Sequence, residues 1–100
     1  MKIYTGERTF DGIEVRVDGQ SLPLRRDVKQ CTQNTFEWGY EGQESEQLAV
    51  ALLADAADEA VARELSEPFM RYIVANFANE WEMTEEQIRE AVAQLSRLAG

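Results

Sequence analysis

Histidine is absent from this chain, cysteine occurs once (Cys31) and proline twice. The missing histidine removes the commonest general base, the Ser-His and Cys-His nucleophile pairs, and the most used transition-metal ligand. A single cysteine can neither close an internal disulfide nor build a zinc site. The six glycines are scattered and form neither a P-loop nor a dinucleotide fingerprint. No apolar run approaches the roughly 20 residues needed to span a bilayer. The opening "MKIYTGERTF" has no apolar segment of the secretory type. These absences lead us to expect a cytoplasmic protein without cofactor, metal or membrane association.

Positive charge is the next scarcity. Ten Lys/Arg stand against nineteen Asp/Glu, a net of −9. The imbalance is uneven: residues 1–35 hold six basic and five acidic residues, whereas residues 36–100 hold four and fourteen. Such a field repels phosphates and anionic membranes over about 10 Å at ordinary salt and attracts basic surfaces. Direct nucleic-acid binding is therefore not expected. Acidity that only keeps the chain soluble accounts for the same numbers.

What is present organises into one domain, residues 1–100, with enough apolar residues (44%) for its own core. "KIYTG" is a short β-prone run. "GIEVRVDGQSLPL" alternates Ile13, Val15 and Val17 against Glu14, Arg16 and Asp18, then turns at Asp18-Gly19. Pro23 lacks a backbone donor, so the return strand lies at an edge. "RRDVKQCTQN" reads as a loop. "TFEWGY" alternates again and predicts a further strand with Phe36, Trp38 and Tyr40 on one face.

From Gly42 the period becomes helical. Leu48, Ala51, Leu52 and Ala56 form the stripe of a first helix beginning between Gly42 and Ser45. Asp58 is a candidate cap for a short run to Leu65. "SEPFMRYIVANF" predicts a new helix with Ser66 as cap, Pro68 in the first turn, and Phe69, Ile73 and Phe77 facing inward. Thr84-Glu85-Glu86-Gln87 is a capping box opening a last helix with Ile88, Val92 and Leu95 inside, ending before Gly100. Strands followed by helices predict an α+β fold: an N-terminal antiparallel sheet of three or four strands and three helices packed on one face. The expected core is Trp38, Leu52, Phe69, Ile73, Phe77, Ile88 and Val92.

Two carboxylate groups, Glu41 with Glu44 and Glu46, and Asp55 with Asp58 and Glu59, are formally capable of paired-carboxylate chemistry. That chemistry needs a substrate cleft between the two groups. A Ca²⁺ or Mg²⁺ site needs a tight Asp/Asn loop, and none is present. Solvated helix faces account for both clusters, and no catalysis is expected. Tyr4, Trp38, Tyr40 and Trp81 resemble a stacking platform for single strands, but Glu37, Glu41, Glu80 and Glu82 flank them where such platforms need cations. Packing is the better reading, with Trp81 closing the gap between the second and third helices. Arg25, Arg26 and Lys29 form only a small basic loop.

The run Phe36-x-Trp38-Gly39-Tyr40-x-Gly42, followed by Gln47-Leu48-Ala49-x-Ala51-Leu52-Leu53, resembles a family of small uncharacterised bacterial and phage proteins. The likeness continues in the Phe69–Phe77 region and in Trp81-x-Met83-Thr84-x-x-x-Ile88. Gln43-Glu44-Ser45 stands where that pattern commonly has a small residue and a proline. The resemblance implies fold and setting more than activity. In size and charge, though not in motif, the chain is also similar to anti-CRISPR and other DNA-mimic inhibitors.

Two functional readings follow. In the first, the chain is a non-enzymatic acidic domain that occupies a basic surface of a nucleic-acid-binding protein or complex. Its expected contacts are Glu85, Glu86 and Glu90 on the last helix, and Glu41, Glu44, Asp58 and Glu59 at the ends of the first. In the second it is a housekeeping or small carboxylate-using domain, and Arg63, Arg71, Arg89 and Arg97 offset part of its acidic face.

Overall fold

The structure, a computed structural model, describes residues 1–99; Gly100, before which the last helix is expected to end, lies outside them. Alternating residues in the first strands build a hairpin of β1 (Ile3–Thr9) and β2 (Gly12–Val17), with Tyr4, Gly6 and Val15 buried on one face. Asp18 and Gly19 both have positive φ (49° and 82°), the backbone that a two-residue hairpin turn requires. That turn leads into the short β3 (Gln20–Ser21), which Pro23 follows at the sheet edge. Two helices come next, α1 (Gln43–Ala56) and α2 (Glu59–Tyr72), then a 3₁₀ turn (Val74–Asn76), β4 (Trp81–Thr84) and α3 (Glu85–Ala99). The sheet is antiparallel throughout, in the order β3-β2-β1-β4. The fold is α+β, with four strands and three α-helices among the described residues.

The fourth strand is not the expected one. Trp81–Thr84 pairs with β1, Ile3 opposite Thr84 and Gly6 opposite Trp81, and supplies the fourth strand in place of "TFEWGY". Residues 35–40 instead run as an extended strut whose backbone bonds reach helices: Glu37 N–H donates to Glu44 O and Gly39 N–H to Val74 O. Phe36 and Trp38 enter the core. The positive φ of Gly39 (87°) breaks the alternation, so Tyr40 leaves the shared face and is 44% exposed. Trp81 accordingly lies on the sheet and does not fill a gap between helices. Its ring stacks on Phe77 (centroids 4.4 Å apart) and meets Trp38 edge-on at 5.9 Å.

Helix α1 is buried all round: Gln47 through Leu53 are all inaccessible, which is the pattern of a central helix. Asp58 caps α2, its carboxylate accepting the Val61 N–H at 2.8 Å. Ser66 does not start a new helix. Helix α2 runs unbroken through Ser66 and carries Pro68 in its interior. Ala62, Leu65, Ser66, Phe69 and Met70 form one continuous buried stripe, and their packing outweighs the lost Pro68 donor. Phe77 falls beyond that helix and is half-buried, as are Ile73 and Val92, while Trp38, Leu52, Phe69 and Ile88 are fully enclosed.

The capping box forms as expected. Thr84 N–H donates to Gln87 Oε1 (2.9 Å) and Gln87 N–H to Thr84 Oγ1 (3.1 Å). Thr84→Ala is expected to cost about 1 kcal/mol, read as a lower midpoint in urea unfolding; an unchanged midpoint would show that the cap contributes nothing.

Candidate functional site

The acidic residues divide by what they touch. On α1, three neighbours face the long segment 22–42, which has no regular structure. Glu44 accepts hydrogen bonds from the Thr32 and Tyr40 hydroxyls and the Asn34 amide, which hold its carboxyl below the ordinary value. Burial opposes ionisation of Glu46, but Lys29 and Ser66 donate to it and the net effect is a lowered pKa. The thiol of Cys31, beside Glu46, is pushed up to about 11, first by burial and then by that carboxylate. Gln47, wholly enclosed, bonds the backbone of Leu24, Lys29 and Cys31. The basic loop is equally committed. Arg25 pairs with Asp27 and Glu59, while Arg26 donates to the carbonyls of Thr32, Gln33 and Asn34.

Several of the expected contact residues therefore have internal duties. Glu41 pairs with Arg71 at 3.4 Å, Glu59 with Arg25 at 2.7 Å, and Asp58 caps α2. Glu85 accepts from the Lys2 N–H and pairs with Arg89. The Glu41–Glu44 and Asp58–Glu59 groups lie at opposite ends of α1, about 20 Å apart for a helix of this length, and do not form one patch. Glu86 and Glu90 are exposed. Neither has an ion pair among the described residues.

A different acidic surface lies on the outer face of the sheet. The register sets Glu7 directly opposite Glu14, and Thr5 between Arg16 and Glu82. Glu7, Glu14, Glu80, Glu82 and Arg16 surround a shallow concavity of ≈ 420 Å³. Among the described residues Arg16 is its one cation, held by Glu14 at 3.2 Å. Glu7, Glu80 and Glu82 have no ion pair among the described residues. Sequence reasoning noted Glu80 and Glu82 only as neighbours of Trp81 and did not bring them to Glu7. The signal available was the Trp81–Thr84 alternation, too short to announce a strand. Among the described residues no group of three or more His, Cys, Asp or Glu could hold a metal ion, and no helix is long and apolar enough to cross a membrane.

These features define a small α+β domain with an acidic outer sheet face. The chain belongs to the family of unknown function DUF6166, which matches residues 4–94. No curated protein and no solved structure matches it.

Proposed function

We propose that this chain is a non-catalytic binding domain that presents carboxylates to a basic, nucleic-acid-binding surface of another protein and so acts as an inhibitor, in the manner of a phosphate mimic. One observation carries the reading: Glu7 and Glu14 face each other across β1 and β2, with Glu82 on the neighbouring strand, and only Arg16 answers them. Like charges opposed across strands destabilise a sheet, and a partner's Lys or Arg relieves that cost on binding. The contact set is Glu7, Glu80 and Glu82, continued by Glu86 and Glu90 on α3. Carboxylates carried on strands and a helix need no further backbone ordering when they meet cations, and their summed field steers association.

The absence of catalysis belongs to the same reading. Its supports are a Cys31 thiol held neutral, a Ser66 hydroxyl with no exposure, and a Lys29 amine tied to Glu46.

The reading is tested against a panel of basic nucleic-acid-binding complexes by measuring association at about 50 and 300 mM salt, conditions that respectively lengthen and shorten the screening distance. Glu7→Lys/Glu80→Lys/Glu82→Lys should slow association about tenfold at the lower salt, with a smaller loss for Glu86→Lys/Glu90→Lys. Binding insensitive to salt and to both sets of reversals would end the proposal.

A further inference from the structure

Beside the acidic face runs a second concavity, of ≈ 390 Å³, between α3, β4 and the segment after α2. Its apolar lining is Ile73, Phe77, Met83 and Ala91. All four pack against the core yet stay only partly buried, so apolar surface is left open there. The α3 wall is Gln87, Glu90, Ala91 and Gln94, a stripe at i, i+3, i+4 and i+7 that extends over about 10 Å. Ala91 is small and central in that wall. Met83, unbranched and polarizable, adapts to whatever shape enters.

The charges on the rim choose the occupant. Glu82 stands on the β4 side and Glu90 on the α3 side, and among the described residues no Lys or Arg lines the groove. Neither carboxylate has an ion pair among the described residues. A neutral or acidic apolar segment seated here would desolvate both without compensation. Cations beside an apolar anchor would neutralise them. We infer that this groove receives a basic amphipathic helix of the partner, with apolar side chains against Phe77, Met83 and Ala91 and Lys or Arg against Glu82 and Glu90. A helix laid in an apolar groove is a recurring recognition mode, read through anchors at i, i+3 or i+4, and i+7. The inference rests on the acidic-binding reading and adds to it the element that the partner contributes.

The test uses the full chain, labelled with ¹⁵N, and three helix-forming peptides of about four turns. One carries Leu anchors with Lys flanks, one the same Leu anchors with Glu flanks, and one Ala in place of Leu with Lys flanks. The Leu/Lys peptide should bind at least tenfold more tightly than either other, with amide shifts centred on Ile73, Phe77, Met83 and Ala91. Ala91→Trp, which fills the groove, should weaken it at least tenfold. Glu82→Lys/Glu90→Lys, an exposed pair that keeps the test valid if the tryptophan variant misfolds, should weaken it about as much at low salt. Equal binding of the Leu/Glu peptide would overturn the inference, since charge would then not select. Equal binding of the Ala/Lys peptide, with shifts at Glu7 and Glu80, would overturn the groove and leave the acidic-binding reading standing. No binding by either Lys peptide would count against both.

Discussion

Trp38→Ala should lower the stability of the protein by about 3–5 kcal/mol, the usual cost of emptying a large aromatic site in a closed core. Trp38 is inaccessible to solvent and touches two separately built parts of the chain. Trp81 from β4 meets it edge-on, and the Arg8 guanidinium from β1 sits 4.6 Å from its ring centroid. Arg8 also donates to the Trp38 carbonyl, to Glu37 and to Asn79, so it ties the strut to the loop before β4. Removing the indole leaves both the cation and Trp81 without a wall. Trp38→Phe separates packing from polarity. The indole N–H is buried with no partner among the described residues, so phenylalanine keeps much of the contact and removes a donor that gains nothing. It should cost well under half as much as alanine, to within about 1.5 kcal/mol of the parent. Urea unfolding of the two variants checks both figures. Equal losses would show that the ring's volume is not what matters there.

Gln47→Leu should cost about 3 kcal/mol or more, although it exchanges a polar residue for an apolar one inside the protein. The Gln47 amide donates to Leu24 O (2.7 Å) and Lys29 O (3.1 Å), and its oxygen accepts the Cys31 N–H (2.8 Å). Leucine would leave three backbone groups enclosed and unpaired, each at about 1 kcal/mol or more. The segment can escape part of that cost by lifting off α1 into water. The variant should then show rapid hydrogen exchange at Cys31 and faster alkylation of its thiol at pH 8, while the sheet amides stay protected. A variant as stable as the parent, with a slow-reacting thiol, would show that the loop holds itself in place.

Elements whose signal is local were readable from the sequence. The Asp18-Gly19 turn, the Asp58 cap and the reciprocal Thr84–Gln87 cap each depend on a few adjacent residues, and each forms where the residues place it. The position of α1 was equally plain, but the expected stripe of Leu48, Ala51, Leu52 and Ala56 is only part of what it buries, since Gln47, Ala49, Val50 and Leu53 are enclosed as well. Elements decided by distant partners were not. Whether Thr35–Tyr40 or Trp81–Thr84 becomes the fourth strand depends on which one fits against Gly6. A Cβ there would lie 2.2 Å from the Trp81 indole nitrogen, so the glycine admits that ring and the sheet closes on β4. Pro68 looked like a beginning because a helical proline is best tolerated in a first turn, and only the tertiary stripe from Ala62 to Met70 shows why it is tolerated further in.

The acidic contacts divided in the same way. Glu86 and Glu90 could be placed on an exposed face by period alone. The internal bonds of Glu44 and Glu59, and the gathering of Glu7, Glu14 and Glu82 around one concavity of the outer sheet face, needed the fold.

The central claim is that the acidic sheet face occupies a surface that would otherwise hold phosphates, and competition by duplex DNA tests it most directly. A basic complex that binds this chain is loaded with it and titrated with short duplex DNA, for the parent and for Glu7→Lys/Glu80→Lys/Glu82→Lys. The account predicts mutually exclusive binding: DNA displaces the parent, the parent displaces DNA, and the triple variant fails to displace DNA. A ternary complex in which DNA and this chain bind together without weakening each other would contradict it.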